Sequence, residues 1–563
     1  MVFFGNDLLA FRGEIVLAKS EPVQILIRPV HQFRVFPGRD YAMSLGEMAV
    51  LHTSPMQRLK GLRQIGLGCW GLPTAEHTRL AHSLGTTYWA AEFLTRLRTN
   101  VFSESVGDGC DPPGNRQRLE QIDDDLGTDL SLDLIVRLFA LVHDMTLLPL
   151  GHTLQFQSGY YTNEQTNLGR ARSCFKWINN ELKLALQSVY ENGKVSQIKL
   201  ADCLRGHLRI VERLFHFRHG LEEPEGRSER PRTFVLPEKT ESAFFPLVID
   251  LIASTFSADL VDFALRDSLG AGMPRSFDEG VSDYLCIYAQ PMGSTNRHHR
   301  KSVKPGRSLP ISPNTYRLGL NPLSGVYRHE VVTGVMSLQR VRYELAERVF
   351  YHEDKLIADA MMDRVLRLID EETHALSQET GPFAQTRLLR IGDDDFLKLL
   401  IRQEKLVLRR KARQKTGDGT PRSLMSDLIT RRLYKEAFRV ERLSDLSSGG
   451  HRLVKQALQP KGRTELERRI LCRIPELNAP DLLVSTRPFS MQAKPSSVLI
   501  GWVDGQPSPL MDIARKFGYA GEALSMAERY QSLWSLSVYL HPEARPFASR
   551  VDQICRRIFL AKP

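Results

Sequence analysis

The sequence predicts a mainly α-helical protein with a smaller C-terminal α+β region. Three observations carry that expectation. From Met48 to about residue 375 the apolar positions recur at helical spacing. Beyond about residue 376, basic helical stretches such as FLKLLIRQEKLVLRRKARQK alternate with strand-like pieces, DLLVST and SVLIGWVDG. The greasiest runs, LDLIVRLFALV and AFFPLVIDLIASTF, are broken by Arg137 and Asp250, so core helices are expected and a membrane span is not.

The chain divides accordingly into an N-terminal extension over residues 1–47, a helical core over 48–375 and an accessory region over 376–563. Within the extension, EIVLAKSEPVQILIRPVHQFRVF shows short alternating apolar positions that suggest a strand or two. In the core, Ser131 is placed to cap the helix LDLIVRLFALVHD, whose Leu134, Ile135, Leu138 and Val142 share one face. STNRHHRKSVKPGRSLP reads as a polar loop or hairpin tip, after which VTGVMSLQRVRYELAERVFYHEDKLIADAMMDRVLRLI restores helical spacing. TGDGTPR reads as a flexible loop, and no internal repeat is found.

Composition narrows the function classes. Hydrophobic content of 42% and charged content of 25% are ordinary for a soluble globular protein. A net charge of +11 favours anionic partners, and a nucleotide polyphosphate explains it as readily as nucleic acid does. The seven cysteines, Cys69, Cys110, Cys174, Cys203, Cys286, Cys472 and Cys555, are odd in number, scattered and free of C-x-x-C pairs. Neither a disulfide framework nor a thiolate zinc site is indicated, and a reducing cytoplasm is expected. MVFFGNDLLAFRGEIV lacks a basic region followed by a long apolar run, so no signal peptide is expected.

The chemistry lies in four residues: His82 in HTRLAHSLG, the pair His143-Asp144 in LVHDMTLLPLGH, and Asp259 in SADLVDFALRDSLGAG. Two imidazoles and two carboxylates suit a hard or borderline divalent cation and leave positions open for water and a phosphate oxygen. Consecutive helical side chains point about 100° apart, so His143 and Asp144 share an ion only if it sits off the helix end. Pro149 favours a turn, after which a new helix can bring His152 back toward that ion.

MQRLKGLRQIGL, HTRLAHSLG, HD-x7-H and DLVDFALRDSLGAG, in that order, resemble the HD-domain superfamily, in its deoxynucleoside triphosphate triphosphohydrolase branch. RYELAERVFYHEDKLIADAMM is similar to the helix that follows the family's core, and the resemblance covers roughly residues 48–375. It implies His82, His143, Asp144 and Asp259 as ligands of manganese, iron, magnesium or zinc. It implies His152 and Asp267 as catalytic residues, and Gln57, Arg79, Phe263, Arg342 and Phe350 as substrate contacts. The reaction implied is hydrolysis of a nucleoside triphosphate, deoxy or ribo, to nucleoside and triphosphate by a cytoplasmic homo-oligomer.

Several positions depart from the family pattern. Leu147 stands where relatives place a histidine, and leucine can neither transfer a proton nor donate a hydrogen bond. Gln155, Phe156 and Gln157 replace acidic residues, and NEQTNLGRARSCFKW supplies no further histidine. Phe263 replaces a tyrosine and Leu260 a lysine, while Arg266 and Asp267 keep the RD pair. These departures keep two rival readings open. One is a phosphodiesterase or nuclease, with the RRKARQK helix and the loop holding His298 and His299 lining a nucleic-acid groove. The other is a non-catalytic nucleotide-binding HD protein. Glycine-rich phosphate loops are absent.

Overall fold

A computed structural model describes residues 18–99, 114–151, 153–154, 160–161, 168–190, 195–221, 239–274, 277–291, 314–324, 326–376, 380–414, 422–487, 498–501, 507–518 and 520–560. It is mainly helical, as expected. The N-terminal part combines a short helix, Glu21–Leu26, with an antiparallel hairpin of β1 (Pro29–Phe36) and β2 (Arg39–Ser44). The strand expectation holds for the second half of that stretch. Before it, Glu21–Leu26 is helical, with Pro22 in the first turn, where its missing N–H costs nothing.

Ser44 then starts α1 (Leu45–Leu51) with a reciprocal cap: its hydroxyl accepts from the Glu47 amide while the Glu47 carboxylate accepts from the Ser44 amide. The long helix α2 (Arg79–Thr99), α3 (Asn115–Asp125) and α4 (Leu132–Val142) follow. Helix α4 is the centre of the core. Leu132, Leu134, Ile135, Val136 and Leu138 through Val142 are all buried, so the single apolar face anticipated for it widens to nearly its whole circumference. The reason is that α1 and α2 pack on it together with α6 (Gln197–Leu221), which itself lies against α5 (Leu168–Val189). Each fully buried Leu or Ile contributes about 1.5–3 kcal/mol. Arg137 escapes this surround through Glu47 at 2.5 Å and the Tyr41 hydroxyl at 2.7 Å. Ser131 occupies the N-cap of α4 without a side-chain cap; the buried His207 accepts the Ser131 amide hydrogen instead, at 3.0 Å.

Helices α7 (Lys239–Ala253) and α8 (Ala258–Gly270) form an apolar run, residues 243–270, long enough by composition to cross a membrane, with 78% of its most apolar window buried inside the molecule. Strands β3 (Leu285–Pro291) and β4 (Asn314–Leu320) pair antiparallel on either side of the expected hairpin tip, which lies outside the described residues. Next come α9 (His329–Leu345), a π-helical turn over Ala346–Phe350, α10 (Glu353–Thr373) and the charged α11 (Asp393–Gln414).

The C-terminal part adds β5 (Lys435–Val440), α12 (Pro460–Leu471), β6 (Leu482–Thr486), β7 (Leu499–Ile500), β8 (Ser508–Pro509), β9 (Leu536–Leu540) and α13 (Ala548–Phe559). A three-stranded antiparallel sheet, β5-β9-β6, packs around its own apolar cluster of Val454, Leu466, Ile470, Val538 and Phe559. Strand β7 leaves that unit and runs parallel to β4, in a four-stranded sheet ordered β8-β7-β4-β3. The accessory region is thereby stitched to the helical core through a shared sheet. Of the TGDGTPR loop, only Arg422 lies among the described residues.

Candidate metal centre

Three helix ends meet at one point. His82 lies in the first turn of α2, and His143 and Asp144 follow the last residue of α4. Asp259 lies in the first turn of α8, whose start is capped by the Ser257 hydroxyl accepting from the Leu260 amide at 3.3 Å. Because α2 packs against both α4 and α8, these ends are brought together by the core itself. The side chains expected to share an ion off the end of the His-Asp helix therefore lie together there.

His82 Nε2 is 3.0 Å from Asp259 Oδ1 and 3.9 Å from Asp144 Oδ2. His143 Nε2 is 3.5 Å from Asp144 Oδ1 and 3.8 Å from Asp259 Oδ1. One donor atom each from His82, His143 and Asp144 falls within 4.8 Å of the others. Such separations suit donors that each lie about 2.0–2.2 Å from a shared cation. The donor set passes a second test: His143 Nε2 is buried yet has no hydrogen-bond partner, an arrangement that native interiors rarely tolerate without a ligand. Exposure is graded across the cluster. The two histidine side chains are 1% and 3% exposed, whereas Asp144 and Asp259 are 14% and 28% exposed. The imidazoles form the floor and the carboxylates the opening.

Outer partners orient both rings. His143 Nδ1 lies 2.7 Å from the Ala140 carbonyl, so donation there leaves Nε2 as a lone pair. His82 Nδ1 lies 2.7 Å from Asp262 Oδ2, and Arg266 grips the same carboxylate through Nε and Nη2, both at 2.9 Å. Gly85 makes room for that contact, since a Cβ there would lie 1.7 Å from Asp262 Oδ1. Burial alone would push His82 down, but Asp259 and Asp262 on its two nitrogens outweigh burial and raise its pKa to about 10. Burial likewise opposes ionisation of Asp144, yet His143, Arg79 and His82 hold its carboxyl well below the usual carboxylate range. Asp259 is lowered against the same burial penalty, chiefly by His82 and His143. Two carboxylates held in the ionised form face the imidazoles, and a cation binding there would compete with a proton on His82.

The chain after the His-Asp pair is pinned from three sides. Arg58 Nη2 donates to the carbonyls of Leu147 at 2.7 Å and Met145 at 3.1 Å. Asp393, itself buried, accepts the Leu150 amide at 2.7 Å and the Arg63 amide at 2.8 Å. Those bonds hold Leu150 at φ +57°, a left-handed conformation that a leucine adopts only when its surroundings impose it. The Thr153 hydroxyl donates to Asp359 at 2.8 Å.

Arg79 is buried at the centre, donating to Asp144 Oδ2 at 2.9 Å and to the Gln64 carbonyl at 2.8 Å. Phe263, one turn beyond Asp259 on α8, meets Phe350 edge-on with ring centroids 6.4 Å apart. Arg342 lies half-buried in the last turn of α9. Gln57 has its amide engaged locally, donating to the Leu51 carbonyl at 2.7 Å and accepting from Lys60 at 2.6 Å. Asp267 is two turns beyond Asp259, about 12 Å along the helix, with its carboxylate 2.6 Å from His77 Nε2. Leu147 is 1% exposed within the apolar core. His152, Gln155, Phe156, Gln157, His298 and His299 lie outside the described residues. Sequence reasoning missed Asp262, Arg58 and Asp393. Of these, only Asp262 carried a local signal, standing three residues after Asp259 on the same helix face.

No family model matches the chain. A stretch of 63 residues, 11% of the chain, is 32% identical to an uncharacterized protein of Methanocaldococcus jannaschii and spans 14% of that protein.

Proposed function

We propose that the protein is a metal-dependent phosphohydrolase of the HD-domain type that acts on nucleoside triphosphates, deoxynucleotides first, releasing nucleoside and triphosphate. The observation that carries this reading is the convergence of His82, His143, Asp144 and Asp259, with the buried Nε2 of His143 lacking a partner. A divalent cation held there (manganese, iron, magnesium or zinc) would supply Lewis acidity and activate a water. The chain's own groups prepare for it. Asp262 and the Ala140 carbonyl fix the imidazole planes, and Arg79 steadies Asp144. Phe263 and Phe350 offer an apolar wall for a sugar or base, and Arg342 offers a cation for phosphate oxygens. His152 is proposed as the acid/base group, in a homo-oligomer.

The test is a screen of all dNTPs, NTPs and single-stranded nucleic acid with each of the four metals, reading which phosphate species is released. Metal-dependent triphosphate release from dNTPs is the expected result. Nucleotide binding without turnover under every metal would move the assignment to a binding-only HD protein. One observation favours that second reading: Leu147 is packed into the apolar core, so no acid/base group stands at its position. Cleavage of single-stranded nucleic acid alone would move it to a nuclease.

A further inference from the structure

Arg487, which follows β6, is 4% exposed. Its Nε is buried without a hydrogen-bond partner, and its guanidinium rests on the ring of Tyr351, with Cζ 4.2 Å from the centroid. The carboxylate that acts on it, Asp359, is engaged elsewhere, accepting from Lys355 at 2.6 Å and from Thr153 at 2.8 Å. Arg58 and Arg79 also carry a buried Nε without a partner, but their Nη nitrogens donate to carbonyls or a carboxylate, as do those of Arg367 and Arg463. Arg342 makes no ion pair among the described residues and acts electrostatically on the same Tyr351. Among the described residues, Arg487 thus lies on the Tyr351 ring without a carboxylate partner, and a second guanidinium without an ion pair acts on the same tyrosine. An unpaired buried cation is costly to the fold, and its retention points to a ligand that neutralises it.

We propose that Arg487 and Tyr351, with Arg342 beside them, form a phosphate-binding subsite contributed in part by the C-terminal region. Two uncompensated positive charges match a phosphate dianion or polyphosphate better than a single carboxylate, and a guanidinium fork pairs with two phosphate oxygens. Burial, and after it the neighbouring Tyr530 hydroxyl, push the Tyr351 hydroxyl up, so it stays protonated. The subsite flanks the metal centre, because Tyr351 directly follows Phe350, which meets Phe263 on the helix of Asp259. It shares Arg342 with the hydrolase reading but needs no metal.

The experiment uses the full chain stripped of metal by a chelator, with inorganic phosphate and tripolyphosphate as calorimetric probes. Wild type should bind tripolyphosphate about tenfold or more tightly than Arg487→Met, which keeps the stem and removes the charge. Arg487→Lys should fall between them, and it decides the matter if the methionine variant does not fold. In phosphate-free buffer Arg487→Met should melt no lower than wild type, since a buried unpaired charge is removed. Equal probe affinity in wild type and variants overturns the proposal. Phosphate binding that depends on Arg487, alongside absent metal-dependent turnover, would sink the hydrolase reading and leave the subsite standing.

Discussion

Two of the buried charge clusters among the described residues are built on opposite principles. At the seam between α10 and α12, Arg367 donates to Asp363 at 2.8 Å, to Thr464 at 2.9 Å and to both oxygens of Glu467 at 2.7 Å. Arg463 grips Asp363 at 3.0 and 2.8 Å and donates to the Ala457 carbonyl at 3.0 Å. Arg367 and Arg463 meet Asp363 and Glu467, Arg364 Nε also lies 3.8 Å from Glu467, and none of these side-chain atoms is buried without a partner. Where α2, α4 and α8 meet, two carboxylates and two imidazoles face one another with an imidazole nitrogen left unmatched. The first cluster is complete without a ligand and fastens the accessory region to the core. The second leaves the buried His143 Nε2 without a partner, and a cation there would complete it. Polar satisfaction separates a structural network from a site.

Breaking the complete cluster should cost the most stability. Glu467→Ala leaves Arg367 buried beside a single carboxylate, and about 3–5 kcal/mol should be lost in urea unfolding, with metal content unchanged. A variant that unfolds normally but loses metal would erase the distinction between the two clusters.

A satisfied but titratable contact tests the same idea through pH. Burial holds His207 neutral, with its pKa down at about 4 against an ordinary 6.5, so that it can accept the Ser131 amide hydrogen. The unfolded chain binds the extra proton between those values. Stability is therefore full above about pH 6.5 and falls as pH drops toward about 4, by up to roughly 3 kcal/mol. In His207→Gln, which keeps an acceptor but cannot titrate, urea midpoints measured from pH 4 to 7 should show a shallower slope. An unchanged slope assigns the acid sensitivity elsewhere.

Loosening the outer support of the metal centre should act on binding more than on folding. Gly85→Ala drives a methyl into the space of Asp262 Oδ1, displacing the carboxylate that orients His82. Metal affinity should fall about 10–100-fold, with the same fall in Asp262→Asn, whose backbone is unstrained. Undiminished affinity in both variants would show that the Asp262–His82 contact serves packing alone.

The candidate ligands were legible because each stands in a local phrase at a helix end, and the side chains of His82, His143, Asp144 and Asp259 do come together. Phe263 and Phe350 also meet as their phrases suggested. What stayed hidden is long-range. Arg58 reaches the carbonyl of Leu147 and Asp393 the amide of Leu150, partners 89 and 243 positions away that no periodicity reveals. Strand β7 illustrates the same limit, since SVLIGWVDG reads as a strand but not as a neighbour of β4. Asp267, legible as half of an RD pair, is held by His77 and not by the cluster. Helix phase put Asp267 on the same helix as Asp259, but only tertiary packing chose which carboxylates face the histidines.

The central claim is that the cluster of His82, His143, Asp144 and Asp259 is a cation site. Its most direct test is the metal content of the full chain after loading with manganese or iron and exhaustive dialysis, compared with His143→Ala and Asp144→Ala. About one equivalent is expected in wild type and almost none in either variant, with unchanged helical circular dichroism, because donor atoms and charge are lost while the core is kept. Equal occupancy in all three proteins, or a wild type that retains no metal, would contradict it.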